Sequence, residues 1–181
     1  MSAFLPLKNS GLSWLWLTLI WLIADQVTKQ LVVSNFELFQ SVNVLPFFNL
    51  TYVQNPGAAF SFLADQDGWQ RWFFTVIAAV ASIVFGVWLA KTPKNQVLLN
   101  IAVALMLSGA LGNLIDRVLF GYVIDFLDFY IGNKHWPAFN VADSMIFIGA
   151  ALMIIDSFKN DQLKKNWSYQ WSSQVKQRKS E

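Results

Sequence analysis

The sequence predicts a mainly α membrane protein, a four-transmembrane-helix bundle carrying a small extramembrane β-rich domain. Three observations predict it. Only 13% of the 181 residues are charged and 55% are hydrophobic, whereas a soluble domain carries roughly 25% charged residues. The apolar residues gather into four long runs. Between the runs lie shorter stretches rich in β-branched and aromatic residues, punctuated by turn signals.

The first span is expected over about 12–33. Residues 12–24 are uncharged and Lys8 precedes them, a pattern a signal peptide shares. No small-x-small cleavage site follows Ala24, and the apolar pattern resumes after Asp25-Gln26-Val27-Thr28-Lys29. A retained helix is therefore expected, long enough at roughly 1.5 Å per residue to cross ~30 Å of hydrocarbon. Residues 34–71 form an extramembrane β-rich segment. Val44-Leu45-Pro46-Phe47-Phe48-Asn49-Leu50-Thr51-Tyr52-Val53 is too short to span as a helix. Asn55-Pro56-Gly57 and Asp65-Gln66-Asp67-Gly68 read as turns, with Ala58-Ala59-Phe60-Ser61-Phe62 between them. Residues 72–90 lack any charge and make the second span, read as structural and lipid-facing. Lys91-Thr92-Pro93-Lys94-Asn95 is a basic turn. The third span, 97–118, ends in small residues at 108, 109, 110 and 112, which let helix backbones approach closely. A second β-rich segment, 119–137, contains a Gly132-Asn133 turn; the fourth span is 139–155, and a polar, basic cytoplasmic tail fills 156–181.

Lysine and arginine set the orientation. Nine lie in the N-terminus, the 91–96 turn and the tail, against four on the other side (Lys29, Arg71, Arg117 and Lys134). Both termini are thus expected in the cytoplasm. Trp69, Trp72 and Trp136 then fall at the outer interface and Trp14, Trp16 and Trp88 at the inner one. Trp167 and Trp171, one helical turn apart in the tail, are placed to rest on the inner surface.

This topology brings the polar residues of the spans to one depth. Asp25 and Lys29 sit in the outer half of the first span; Asn113, Asp116 and Arg117 near the outer end of the third; Asn140 and Asp143 at the outer start of the fourth. Asn55 and Asp125 come from the extramembrane segments on that same face. A charge in hydrocarbon costs about 2.5–3.5 kcal/mol on insertion scales, so such a cluster marks a functional site by default. Asp25 and Lys29 are spaced i,i+4, acid first. They read as a self-neutralising pair with Lys29 reaching to the headgroups, or as a substrate contact. Asn113 and Arg117 share a helix face. Arg117 has Asp116, Asp128, a lipid phosphate or a backbone carbonyl as candidate partners, and Asp116 reads as an interface ion-pair partner. Asn140-Val141-Ala142-Asp143 fits a helix cap of the capping-box type, but a cap leaves Asp125 unexplained.

Asp125 and Asp143 are the candidate acid/base pair. Two carboxylates sharing a proton can activate a water against a peptide carbonyl and protonate the leaving amine. Asp125, set between Ile124 and Phe126, is the one placed to hold the proton. The composition suits this chemistry. Without cysteine there is no thiolate or sulfur ligand, and the single histidine, His135, excludes paired-histidine metal motifs. No metal and no cofactor are expected, and a net charge of +2 is too small to suggest nucleic acid. A Ser108–Lys29 dyad is the serine alternative.

Five motifs in order carry a resemblance: Asp25-Gln26-Val27-Thr28-Lys29, Asn55-Pro56-Gly57-Ala58-Ala59-Phe60-Ser61, Gly112-Asn113-Leu114-Ile115-Asp116-Arg117, Val123-Ile124-Asp125-Phe126 and Phe139-Asn140-Val141-Ala142-Asp143-Ser144. Together, over about 12–157, they resemble the bacterial lipoprotein signal peptidases, or type II signal peptidases. The resemblance implies an inner-membrane aspartyl endopeptidase, with a periplasmic β-cradle and a short extramembrane helix. It would cut prolipoproteins just before a diacylglyceryl-modified cysteine. It implies Asp125 and Asp143 as the catalytic dyad. Asn55, Gly57, Asn113, Arg117 and Asn140 would position substrate or dyad, with Asp25 and Lys29 supporting the pocket. Small residues around 108–112 would leave room for a signal helix. Expected partners are lipid-modified prolipoproteins, membrane lipids and globomycin-like inhibitors, and a monomer is expected. Two other classes compete: a small transporter or proton relay using the same polar cluster, and a non-enzymatic membrane assembly factor with a β-rich head.

Overall fold

The computed structural model describes residues 6–57 and 69–178, with side chains as far as residue 159. Two 3-10 turns, Leu7–Asn9 and Gly11–Trp14, lead into α1, Leu15–Asn35. Strands β1, Ser41–Leu45, and β2, Phe48–Asn55, follow, then helices α2, Trp69–Lys91, and α3, Val97–Leu119. Strands β3, Val123–Ile131, and β4, Lys134–His135, precede α4, Val141–Arg178. The four helices are long and apolar enough to cross a membrane, and the strands make one antiparallel sheet in the order β1-β2-β3-β4. The expected fold class holds. The expected turn at Asp65-Gln66-Asp67-Gly68 and the 58–62 stretch lie outside the described residues, as do the side chains of Trp167 and Trp171. Among the described residues the only short helices are the two turns before α1, so the short extramembrane helix has no counterpart there.

Helix α4 departs most from its expected length. Its apolar part ends at Lys159, but the helix continues to Arg178. The polar tail announces a helix only weakly, by one sparse apolar stripe of Leu163, Trp167, Trp171 and Val175 at four-residue spacing. It is, however, free of proline and glycine and rich in lysine and glutamine, which are good helix formers.

α3 is the axis of the bundle. Of its apolar window 67% is buried, against 17%, 11% and 17% for the other three spans. Leu19, Ile23, Val76, Ile83, Phe147 and Ile154 on those spans all point outward and exposed. Lipid tails are as apolar as leucine, so the bundle is drawn together by close packing rather than by hiding such residues. Glycines provide that packing. A Cβ on Gly109 would fall on the Ala142 carbonyl oxygen, and one on Gly149 would lie 2.6 Å from the Ala102 carbonyl oxygen. The same contacts correct one expectation. The small residues at 108–112 do not leave space for a substrate helix, because α4 and the Asp25 carboxylate already fill it.

One half of the bundle is apolar, around Leu89, Val103, Ala104, Met106 and Leu107. A clasp closes its end. Gly11 N–H donates to the Thr92 carbonyl (2.7 Å), Lys94 N–H to the Asn9 carbonyl (3.0 Å) and Asn100 Nδ2 to the Pro93 carbonyl (2.8 Å), so buried backbone groups are paired. The other half is polar and meets the sheet. There Val32 of α1 and Phe36, which caps it, pack against Tyr52, Ile124 and Phe126.

A β-bulge decides which residues share the site face of the sheet. Leu50 pairs with Leu127, but Val53 pairs with Asp125, so β2 carries one extra residue. Unbroken alternation would set Gln54 on the Asp125 face; the bulge puts Asn55 there. Gln54 turns to the other face, where its Nε2 donates to the Tyr52 and Tyr122 hydroxyls.

The α3–α4 contact is open to test. Gly109→Val is expected to lower stability by about 1–3 kcal/mol through overpacking. Thermal unfolding of the detergent-solubilised protein measures this, and an unchanged midpoint would contradict the close approach.

Candidate active site

Asp125 and Asp143 are brought together as the sequence predicts, through asparagines rather than by direct contact. Asp125, on β3, is 2% exposed. Its Oδ2 accepts from Asn55 Nδ2 (2.9 Å) and its Oδ1 from Asn140 Nδ2 (2.7 Å). Asp143, half-buried in the first turn of α4, accepts at Oδ1 from Asn113 Nδ2 (2.7 Å) and at Oδ2 from the Asn140 backbone N–H (3.3 Å). Asn140 thus touches both carboxylates. It also caps α4, since its Oδ1 accepts from Asp143 N–H (2.9 Å). The capping box is real, and it is also what binds the second carboxylate to the first.

The three asparagines follow one rule. Each side-chain oxygen is pinned by an N–H donor, which turns each amide NH2 toward a carboxylate. Gly57 N–H pins Asn55 (2.9 Å), Asp143 N–H pins Asn140 (2.9 Å), and Lys29 Nζ pins Asn113 (3.1 Å). Gly57 can do so because its φ is +115°, a conformation other residues rarely adopt, and a Cβ there would strike the Phe74 ring.

Lys29 corrects an expectation. It does not reach the headgroups, and neither it nor Asp25 has the exposure a substrate contact needs. Its ammonium is fully buried, 2.9 Å from Asp25 Oδ2 and 2.8 Å from Asp116 Oδ2. Asp116 is likewise an interior partner rather than an interfacial one, at 0% exposure. Gln26 was no candidate in the sequence, yet its Nε2 bridges Asp25 Oδ2 (3.1 Å) and Asp116 Oδ1 (3.0 Å). Its i+1 position beside Asp25 gave no signal, because adjacent helix residues ordinarily diverge.

Of the candidate partners for Arg117, the structure selects a backbone carbonyl. NH1 donates to the Asn113 carbonyl (3.2 Å), the guanidinium lies 5.6 Å from the Phe74 ring centre, and Nε has no partner among the described residues. Arg71 ends α3 beside it, donating to the Arg117 and Val118 carbonyls (3.2 and 3.0 Å). The Ser108–Lys29 dyad does not form. Ser108 Oγ donates to the Leu105 carbonyl (2.7 Å), and Lys29 is committed elsewhere. His135 pairs with Asp128 (2.8 Å). Burial alone would raise Asp128, but hydrogen bonds from His135, Asn49 and Thr51 hold its carboxyl below the usual range.

Asp143 also opens on a cavity of about 540 Å³, lined by Trp136, Phe139, Ser144, Phe147 and Ile148. Trp136 joins it to a second, of about 700 Å³, between Phe47 and the β3–β4 hairpin. Burial pushes Asp125 up to about 7, and the nearby Asp143 charge adds to this; the Asn55 and Asn140 hydrogen bonds and the Lys29 charge oppose it. A proton-holding acid therefore sits beside a second carboxylate at the foot of an apolar groove.

Four apolar spans define a multi-pass membrane protein, and at one end of its bundle two carboxylates are joined through Asn140. Residues 17–159 match the family model described as signal peptidase (SPase) II. The lipoprotein signal peptidase of Shewanella amazonensis is 59% identical over 152 residues, 84% of this chain and 90% of that protein. The lipoprotein signal peptidase of Alteromonas mediterranea is 58% identical over 157 residues, covering 87% and 86%. A solved structure of a bacterial membrane enzyme superposes with a TM-score of 0.75 at 36% identity, covering 86% of this chain and 94% of that one. The chain belongs to the signal peptidase II family and is a protease.

The raised Asp125 has a consequence for stability. An unfolded aspartate ionises near ~3.9, and the folded one at about 7. The folded chain thus keeps a proton that the unfolded chain has lost. The associated stability is full below about 4 and disappears as pH rises through about 7. Asp125→Asn cannot ionise, so its stability relative to the parent should increase between pH 4 and 8, by up to about 1.4 kcal/mol per unit of the raised pKa. Unfolding midpoints of both proteins across that range measure it; parallel curves would refute the assignment.

Proposed function

We propose that this chain removes the signal peptide of diacylglyceryl-modified prolipoproteins, cutting just before the lipidated cysteine, with Asp125 and Asp143 as its catalytic dyad. The observation that carries the reading is the shared Asn140. It holds both carboxylates from one side chain and one backbone N–H, at the mouth of an apolar groove. In the resting state Asp125 keeps the shared proton. Asp143 takes a proton from a water as its oxygen adds to the scissile carbonyl carbon, and Asp125 gives its proton to the carbonyl oxygen. The C–N bond then breaks. The leaving nitrogen takes the proton from Asp143, and the new carboxyl group returns one to Asp125, restoring the dyad.

The groove suits a lipid-anchored substrate. Its walls, Phe139, Phe147 and Ile148, are apolar and continue along the outward face of α4. Acyl chains lying there would hold the cysteine beside Asp143 and remove much of the orientational freedom of the reaction. Arg117, whose side chain is only partly buried, is the donor left for a substrate carbonyl. Asn55, Gly57, Asn113 and Asn140 act on the dyad instead. The protein works as a monomer in the bacterial inner membrane, with both termini cytoplasmic and the dyad toward the periplasm. Globomycin-like inhibitors would compete in the same groove. A proton relay is disfavoured by the apolar half of the bundle. There, among the described residues, Thr18 and Ser82 donate to the Ala104 and Ala78 carbonyls and are committed within the bundle.

Asp125→Asn and Asp143→Asn should each insert and fold yet lose cleavage of a diacylglyceryl-modified prolipoprotein by at least ~10²–10⁴-fold. Ordinary turnover by either variant would remove the dyad, and with it the separation from an assembly factor. A reporter fused after Lys94 should be active only on the cytoplasmic side; periplasmic activity would invert the orientation.

A further inference from the structure

We infer that Asp116 is a positioning residue of the reaction, one jaw of a buried ionic clamp that fixes the backbone next to each dyad aspartate. The inference rests on the dyad proposed above and extends it to residues that never meet the substrate. Asp116 Oδ2, besides holding Lys29, accepts from the Ile124 backbone N–H (3.2 Å), one residue before Asp125. Asp25 mirrors it. Its Oδ2 holds Lys29 and its Oδ1 accepts from the Ala142 backbone N–H (2.8 Å), one residue before Asp143. Each carboxylate therefore joins the same ammonium to the backbone one residue before a catalytic acid. Gln26 Nε2 ties the two jaws together and also donates to the Gly112 carbonyl (3.3 Å). The strand and the helix that supply the dyad come from different parts of the chain, and their relative placement is set through this point.

The clamp is dry and overdetermined. Asp25, Lys29 and Asp116 are at most 1% exposed, and a buried ion pair left with one partner missing is severely unfavourable. Charged hydrogen bonds to backbone N–H groups are directional and short. They are suited to fixing distance, which catalysis rewards because a misplacement of about 1 Å can cost ~10²-fold in rate. Lys29 also pins Asn113, which donates to Asp143, so the ammonium reaches the second acid by side chain as well as by backbone. Its charge and that of Arg117 face the dyad from α1 and α3, with Asp116 between them, while Asp143 faces Asp125 from α4.

The test uses the full-length protein in detergent with a diacylglyceryl-modified prolipoprotein, reading kcat, KM, the alkaline limb of the pH profile and the unfolding midpoint. Turnover by the parent protein on that substrate is the control for the underlying reading; its failure would sink that reading, whereas failure of a variant to differ would sink the clamp alone. Asp116→Asn is expected to lower kcat at least ten-fold with KM within two-fold. It should also move the alkaline limb to lower pH, because one of the negative charges facing Lys29 and Arg117 is removed and their pull on Asp125 strengthens. Lys29→Gln should move that limb to higher pH. A purely structural Asp116 would lower the midpoint but leave the limb and kcat per folded molecule unchanged, and that result overturns the inference. Gln26→Leu keeps every charge and provides a reading if the charge variants fail to fold. A several-fold loss of kcat at unchanged KM supports the clamp, and parental kcat overturns it.

Discussion

A lysine ammonium with no access to solvent is the constraint from which the rest of this structure follows. Lys29 is fully buried within a bundle whose outside is hydrocarbon, and such a charge is tolerated only where it is paired and hydrogen-bonded. Asp25 alone, one turn away on the same helix, would leave it short of partners. Asp116 from α3 and Asn113 one turn before complete its surroundings. Satisfying one cation therefore fixes how α1 is rotated against α3. Once those two are fixed, Gly112 has Asp25 against it, and the start of α4 lies over both.

Asparagine is the natural relay in such a place. It carries a donor and an acceptor on one rigid plane and adds no charge to a site already holding several. Here the acceptor ends are consumed by N–H groups of Gly57, Lys29 and Asp143, so the donor ends have one direction left. A glutamine would add a rotatable bond, and an aspartate would turn donors into repulsion against Asp125 and Asp143. The hydrogen bonds also oppose the effect of burial on Asp125, leaving it near 7, poised to give or take a proton in neutral surroundings.

Much of this was legible from residue order. Charge-free runs located the four spans, β-branched and aromatic stretches located β2 and β3, and the expected orientation gathered the polar residues into one cluster, in which Asp125, Asp143, Asn55, Asn113 and Asn140 do meet. What was not legible is rotation about helix axes and insertions in strands. Lys29 has the same i,i+4 relation to Asp25 whether it points to lipid or to Asp116, so sequence spacing favoured the shorter path to water. Small residues at 108–112 promised closeness without saying to what, and α4 took the space first. The length of α4 was hidden for another reason: beyond Lys159 its residues favour helix individually, but their apolar stripe, Leu163, Trp167, Trp171 and Val175, is one residue wide among polar and charged neighbours.

The bulge in β2 makes the strand sensitive to length in one direction only. Removal of Thr51 or Tyr52 would leave a single residue opposite Phe126, giving an unbroken ladder in which Val53 still faces Asp125 and Asn55 still faces Val123. The shorter strand would therefore keep aiming Asn55 at the buried acid. What the strand does not tolerate is an unbroken ladder at its present length. Continued from Leu50 opposite Leu127 without the bulge, the pairing would set Gln54 on the Asp125 face and turn Asn55 to the opposite one. Reading frame along this strand is thus a functional quantity: at this length the irregular sheet is the one that gives Asp125 its Asn55 donor, and the more ideal sheet would leave a buried acid with one hydrogen bond fewer.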